Sequence, residues 1–109
     1  MNEGIQEWQL ITQALLDAEG YPKSEENRKQ LGYSTGEIRE LLDKLMKDHN
    51  KILSDKEKQM ILNCIDGAFD YVNTDIHTLY DIPASELKHF KVELEKRWGM
   101  RSTYGKDQE

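Results

Sequence analysis

Two Ser-x-x-Glu tetrapeptides, Ser34–Glu37 in "STGE" and Ser54–Glu57 in "SDKE", each stand directly ahead of a run of helically spaced apolar residues. In such a capping box the serine hydroxyl accepts from a free amide of the first turn, and the glutamate reaches back to the serine amide. Behind the first box, Ile38, Leu41, Leu42, Leu45, Met46 and His49 keep i, i+3, i+4, i+7, i+8, i+11 spacing, which predicts a helix over 35–50. The chain has 109 residues, only two prolines and leucines and isoleucines at helical spacing, so an all-α fold is expected.

The second box opens the longest run, predicting a helix over 55–80. At 100° per residue, Met60, Ile61, Cys64, Ile65, Ala68, Val72, Ile76 and Tyr80 fall with their apolar neighbours in an arc of about 200°. So wide an arc needs more than one neighbour, which places this helix at the centre. Asp75 also falls inside the arc, where a carboxyl needs a partner or must be neutral. On the opposite side, Asn63, Asp66, Asp70, Asn73 and His77 form a polar stripe.

Two further helices are predicted, over 2–19 and 84–98. The first carries Ile5, Trp8, Ile11, Leu15 and Ala18 on one face, widened by Leu10, Ala14 and Leu16, and stops at Gly20, Tyr21 and Pro22. The second carries Leu87, Phe90, Leu94 and Trp98, with Gly99 as its stop. Residues 23–30 are polar and lack an apolar stripe. Short connections favour antiparallel neighbours, giving a small antiparallel bundle of about four helices. Residues 1–98 then form one domain, and residues 99–109 a flexible, frayed C-terminal tail. The wide arc of the central helix also makes a homodimer plausible.

Charge narrows the partners. The formal net charge is −6, with residues 1–20 and 54–82 at −4 each and the remaining two stretches at +1 each. That balance disfavours general phosphate binding, which draws on Lys and Arg, and suits a protein with a basic surface. A single cysteine, Cys64, excludes an internal disulfide and a cysteine-built zinc site. No secretory signal opens the sequence and no apolar stretch approaches the length of a membrane span, so a cytoplasmic protein is expected, in its own cell or in a host.

The stretch "NRKQLGYSTGEIRELLDKL", Asn27 to Leu45, resembles the helix-turn-helix segment of bacterial transcription regulators. Gly32 lies in the turn, with Ile38 and Leu41 at inward positions of the second helix. The resemblance implies DNA contacts from Thr35, Arg39, Lys44 and Lys47. It departs from the motif at Arg28, where a small residue lets the helices cross, and Glu40 and Asp43 would repel the phosphate backbone. A helical bundle ending in "RSTYGKD" is also similar to the bacteriocin immunity proteins, which are four-helix bundles that protect producer cells.

Catalytic signatures are missing. No nucleophile elbow, phosphate-cradling glycine loop, His-Glu-x-x-His or dinucleotide fingerprint occurs, so the expectation is a protein without enzymatic activity, cofactor or metal. What remains is a non-catalytic, acidic protein-binding domain, an inhibitor or adaptor of a larger partner such as phage and mobile elements encode. Its expected contact residues are Asn63, Asp66, Asp70, Asn73 and His77, and a DNA-binding regulator built on residues 24–47 is the alternative.

Overall fold

A computed structural model of the chain describes residues 7–22, 25–48 and 52–105. The described residues form an all-α fold of six helices: α1 Glu7–Gly20, α2 Glu25–Leu31, α3 Thr35–Lys47, α4 Asp55–Tyr71, α5 Ile76–Tyr80 and α6 Ala84–Trp98. The expected helix starts at Asn2 and includes His49 in the second run; both positions lie outside the described residues.

Both capping boxes are closed. Ser34 Oγ accepts from the Glu37 amide at 3.1 Å and Glu37 Oε1 from the Ser34 amide at 2.9 Å. Ser54 and Glu57 repeat the arrangement at 3.2 and 2.9 Å. Each serine cap contributes about 1 kcal/mol and fixes where its helix starts.

As its wide arc requires, α4 is central: α1, α2 and α6 all pack on it, and α3 packs on α1. The core includes Ala14, Leu15, Ile38, Leu41, Ile61, Ile65, Leu87 and Leu94, all buried. Two lysine stems finish the α4–α6 contact, Lys58 Nζ lying 5.8 Å from the Trp98 ring centre and Lys88 Nζ 5.6 Å from that of Phe69. Not every expected apolar position is covered. Leu16, Met46 and Ile52 are exposed.

Four expectations require correction. The run over 55–80 is not one helix: α4 ends at Tyr71, Asn73 takes a left-handed φ of 53°, and a 3-10 turn over Asn73–Asp75 leads into the five-residue α5. Asparagine tolerates that conformation, and the sequence "VNTD" at the break consists of weak helix formers. The bend turns Ile76 and Tyr80 inward while α5 lies against α1. It also moves Asp75 out of the arc, and this residue is exposed instead of buried.

The four-helix expectation counted α5 within its long run and gave residues 23–30 no apolar face. In the structure α2 is a separate short helix, anchored by the buried Leu31 at its end. Nor do the described residues after Trp98, 99–105, fray; the rest of the expected tail, 106–109, lies outside the described residues. Gly99 ends α6 with a left-handed φ of 67°, and the segment over 100–105 then folds back onto α4 with Ser102 buried.

Candidate functional site

The polar stripe on α4 is where this returning segment lands, and Asn63 is its centre. Only 1% exposed, Asn63 uses both ends of its amide. Nδ2 donates to the Leu31 carbonyl at the end of α2 and to Thr103 Oγ1, each at 2.9 Å. Oδ1 accepts from the Thr103 amide at 2.8 Å, from Gln59 Nε2 at 3.2 Å and from Ser102 Oγ at 3.3 Å. Gln59 Nε2 also donates to the Arg101 carbonyl at 2.7 Å. Through these bonds the buried amide joins α2, α4 and the returning segment.

One turn further along α4, Gly67 leaves room for two rings. A Cβ there would lie 2.7 Å from Tyr71 Cε2 and 2.9 Å from Tyr104 Cε1. Those rings meet edge to face, with centroids 6.5 Å apart. Tyr104 then donates from its hydroxyl to Asp70 Oδ2 at 2.9 Å. Burial, with Asp70 adding to it, pushes the Tyr104 phenol above its ordinary range, so it remains a donor at any physiological pH. Gly67→Ala is expected to lower stability by about 1 kcal/mol. Overpacking costs roughly 1–3 kcal/mol, and the better helix propensity of alanine recovers up to about 1. Thermal denaturation should register this as a fall in Tm of roughly 4–8 °C.

On the α6 side, Lys91 is buried between Glu95 Oε2 at 3.3 Å and Asp66 Oδ1 at 3.7 Å. Glu95 Oε2 in turn accepts from the Ser102 amide at 3.0 Å. Burial alone would raise the Glu95 carboxyl, but the Ser102 amide and Lys91 outweigh it and hold it below its ordinary value.

The five expected contact residues are therefore not one exposed face. Asn63 is buried and serves as an internal hub. Asp66 is half-buried against Lys91, and Asp70 is exposed but bonded to Tyr104. Asn73 and His77 stand beyond the bend and are exposed. Gln59, of the same polar stripe, and Tyr104 join them, and Gly67, Ser102 and Thr103 complete the arrangement without having been singled out from sequence. The one signal among them was Gly67, a glycine in a helix interior that costs about 1 kcal/mol unless a close approach needs it.

Past the bend the surface changes character. Asp75 and Asp81 are exposed at either end of α5, a helix only about 8 Å long. Neither forms an ion pair among the described residues. Several acids elsewhere are matched: Glu7 with Arg97 at 2.8 Å, Glu19 with Arg39 at 3.1 Å, Glu37 with Lys56 at 2.8 Å and Glu57 with Lys44 at 3.8 Å. Asp70, Asn73, Asp75, His77 and Asp81 thus make up a polar, acidic end whose three aspartates form no ion pair among the described residues. Among the described residues no three His, Cys, Asp or Glu side chains converge as metal ligands. Cys64 is fully buried, and burial pushes its thiol up, away from the reactive thiolate.

The helix-turn-helix residues are differently placed. A recognition helix normally packs on the helix before it, yet α2 packs on α4 while α3 packs on α1. Arg28, at the motif's small-residue position, donates to the Glu19 carbonyl at 3.3 Å. Arg39 is held by Glu19 and by Asp43 at 3.3 Å, and Lys44 faces Glu57. Thr35 and Lys47 are exposed. Two of the three cations expected at phosphates or bases, Arg39 and Lys44, are thereby neutralised within the fold.

No family model, curated protein or solved structure matches the chain. No described helix is long and apolar enough to cross a membrane.

Proposed function

We propose that the chain is a non-catalytic protein-binding domain that docks its acidic end on a basic surface of a larger partner, as an inhibitor or adaptor. The observation that carries this reading is the contrast in charge pairing. Glu7 and Glu19 on α1, Glu37 on α3 and Glu57 on α4 are matched by cations of the same chain, whereas Asp75 and Asp81 are exposed and form no ion pair among the described residues. Unpaired, same-sign charge at one end steers a complementary partner and disfavours wrong ones.

The test is an affinity pull-down from the source cell or its host, with a nuclease-treated sample in parallel. A roughly stoichiometric protein that survives nuclease is the expected result. Recovery of nucleic acid with no protein would overturn the reading in favour of the segment over 24–47.

A further inference from the structure

The segment over 101–105 is attached in an unusual way. The Ser102 amide donates to Glu95 Oε2, the Thr103 amide to Asn63 Oδ1 and the Tyr104 amide to Ser102 Oγ. Every acceptor is a side chain. Only Gly105 reaches a backbone carbonyl, that of Gln30, at 3.3 Å. Helical amides are protected by a cooperative ladder, whereas bonds of this kind release when a few side chains turn.

The floor beneath the segment, by contrast, is anchored independently of it. Asn63 is fixed from behind by the Leu31 carbonyl, and Gly67 and Asp70 belong to the central helix. At i, i+4 and i+7 along α4, these residues offer an amide, a ring-sized gap and a carboxylate. They meet, in order, a backbone amide with a hydroxyl, an aromatic ring and a phenol.

We propose that this groove is a recognition site for an extended peptide carrying a threonine or serine followed by tyrosine, and that residues 101–105 are its resident occupant, a strap that a partner's segment displaces. The inference rests on reading the chain as a protein-binding domain, and it specifies the partner's chemistry. Asn63 Oδ1 would take the partner's amide and Nδ2 its hydroxyl, while the tyrosine ring fills the gap over Gly67 and donates to Asp70. A phosphorylated tyrosine would be refused, because its two negative charges would face Asp70, with Asp66 one turn away.

Two measurements on the full chain test this. In native-state hydrogen exchange, the amides of residues 102–104 should exchange roughly 100-fold faster than those of Leu62 and Ile65 in α4. A fluorescent peptide of sequence RSTYGKD should bind the Tyr104→Ala chain at least ~10-fold tighter than the wild type, since the resident ring no longer competes. The phosphotyrosine form of the peptide should bind neither. Exchange of residues 102–104 at the rate of the α4 core would overturn the proposal, as would peptide binding that is absent or no tighter in the variant. If Tyr104→Ala does not fold, wild-type exchange decides alone. A failed pull-down alongside fast exchange and peptide binding would count against the acidic end and leave the groove standing.

Discussion

Asn63→Asp is expected to lower stability by about 3–5 kcal/mol at neutral pH, a large share of what a domain of this size possesses. The substitution keeps the shape of the side chain and the acceptor that serves the Thr103 amide, Gln59 and Ser102. What it removes is the donor to the Leu31 carbonyl and to Thr103 Oγ1, replacing it with a buried charge that faces a carbonyl oxygen. Only a protonated acid could donate there, so the new carboxyl would titrate above its ordinary value in the folded state. The folded state then binds more protons than the unfolded one between those two values. The loss should therefore be small near pH 4 and grow as pH rises, which urea denaturation at two pH values would reveal. A pH-independent loss, or none, would mean that the amide's contact with α2 does not matter.

Asp17→Asn should act in the opposite direction, raising stability near neutral pH by about 1–2 kcal/mol, or roughly 4–16 °C in Tm. Asp17 is a buried acid on α1, 3% exposed, whose Oδ1 accepts from Gln13 Nε2 at 2.8 Å. Its Oδ2 has no hydrogen-bond partner, and neither does the buried Tyr80 hydroxyl. The two groups are close enough to influence one another, but no hydrogen bond of acceptable geometry closes between them. Burial raises the carboxyl above its ordinary 3.8, the Gln13 bond opposing this only in part.

The sign follows from the raised value. A group that holds its proton more tightly when folded contributes stability at low pH and loses it as pH climbs through the folded value. An asparagine carries no such charge, keeps the Gln13 bond and offers its NH2 to Tyr80. The variant's stability should be flatter from about pH 4 upward than the wild type's, and thermal melts across that range would check this. Glu7, held down by Arg97, and Glu37, held down by Lys56, act oppositely and lose their contribution as pH falls.

Local signals in this chain were legible where they closed locally. Both capping boxes start their helices at the predicted serines, and Gly99 stops α6 where expected. Periodicity alone overran the end of α4, because 100° stepping carries no information about φ at Asn73. The poor helix formers in "VNTD" were the signal to weigh against it. Asp17 was readable as inward-facing, lying three residues after Ala14 and seven after Leu10, both buried.

The candidate site was hidden for a different reason. Asn63 looks like any polar residue on the outer face of a helix until Thr103, 40 residues later, returns to it. Arg39 and Lys44 likewise look free to meet phosphate until Glu19 and Glu57 are seen beside them. Pairings between distant segments leave no period in the sequence, and they decide here which surface is occupied and which is left open.

Because Asp66 and Asp70 already serve Lys91 and Tyr104, charge reversal at those positions would disturb the fold along with any interface. Asp75 and Asp81 have no such duties, and asparagine suits the left-handed φ of 61° at Asp81. The measurement of choice is therefore calorimetric titration of the captured partner against the wild type and against Asp75→Lys with Asp81→Asn. Binding weakened at least ~10-fold, steeply salt-dependent in the wild type and with Tm unchanged in the variant, is the expected result. Equal affinity for both proteins would contradict the assignment of the acidic end as the docking surface.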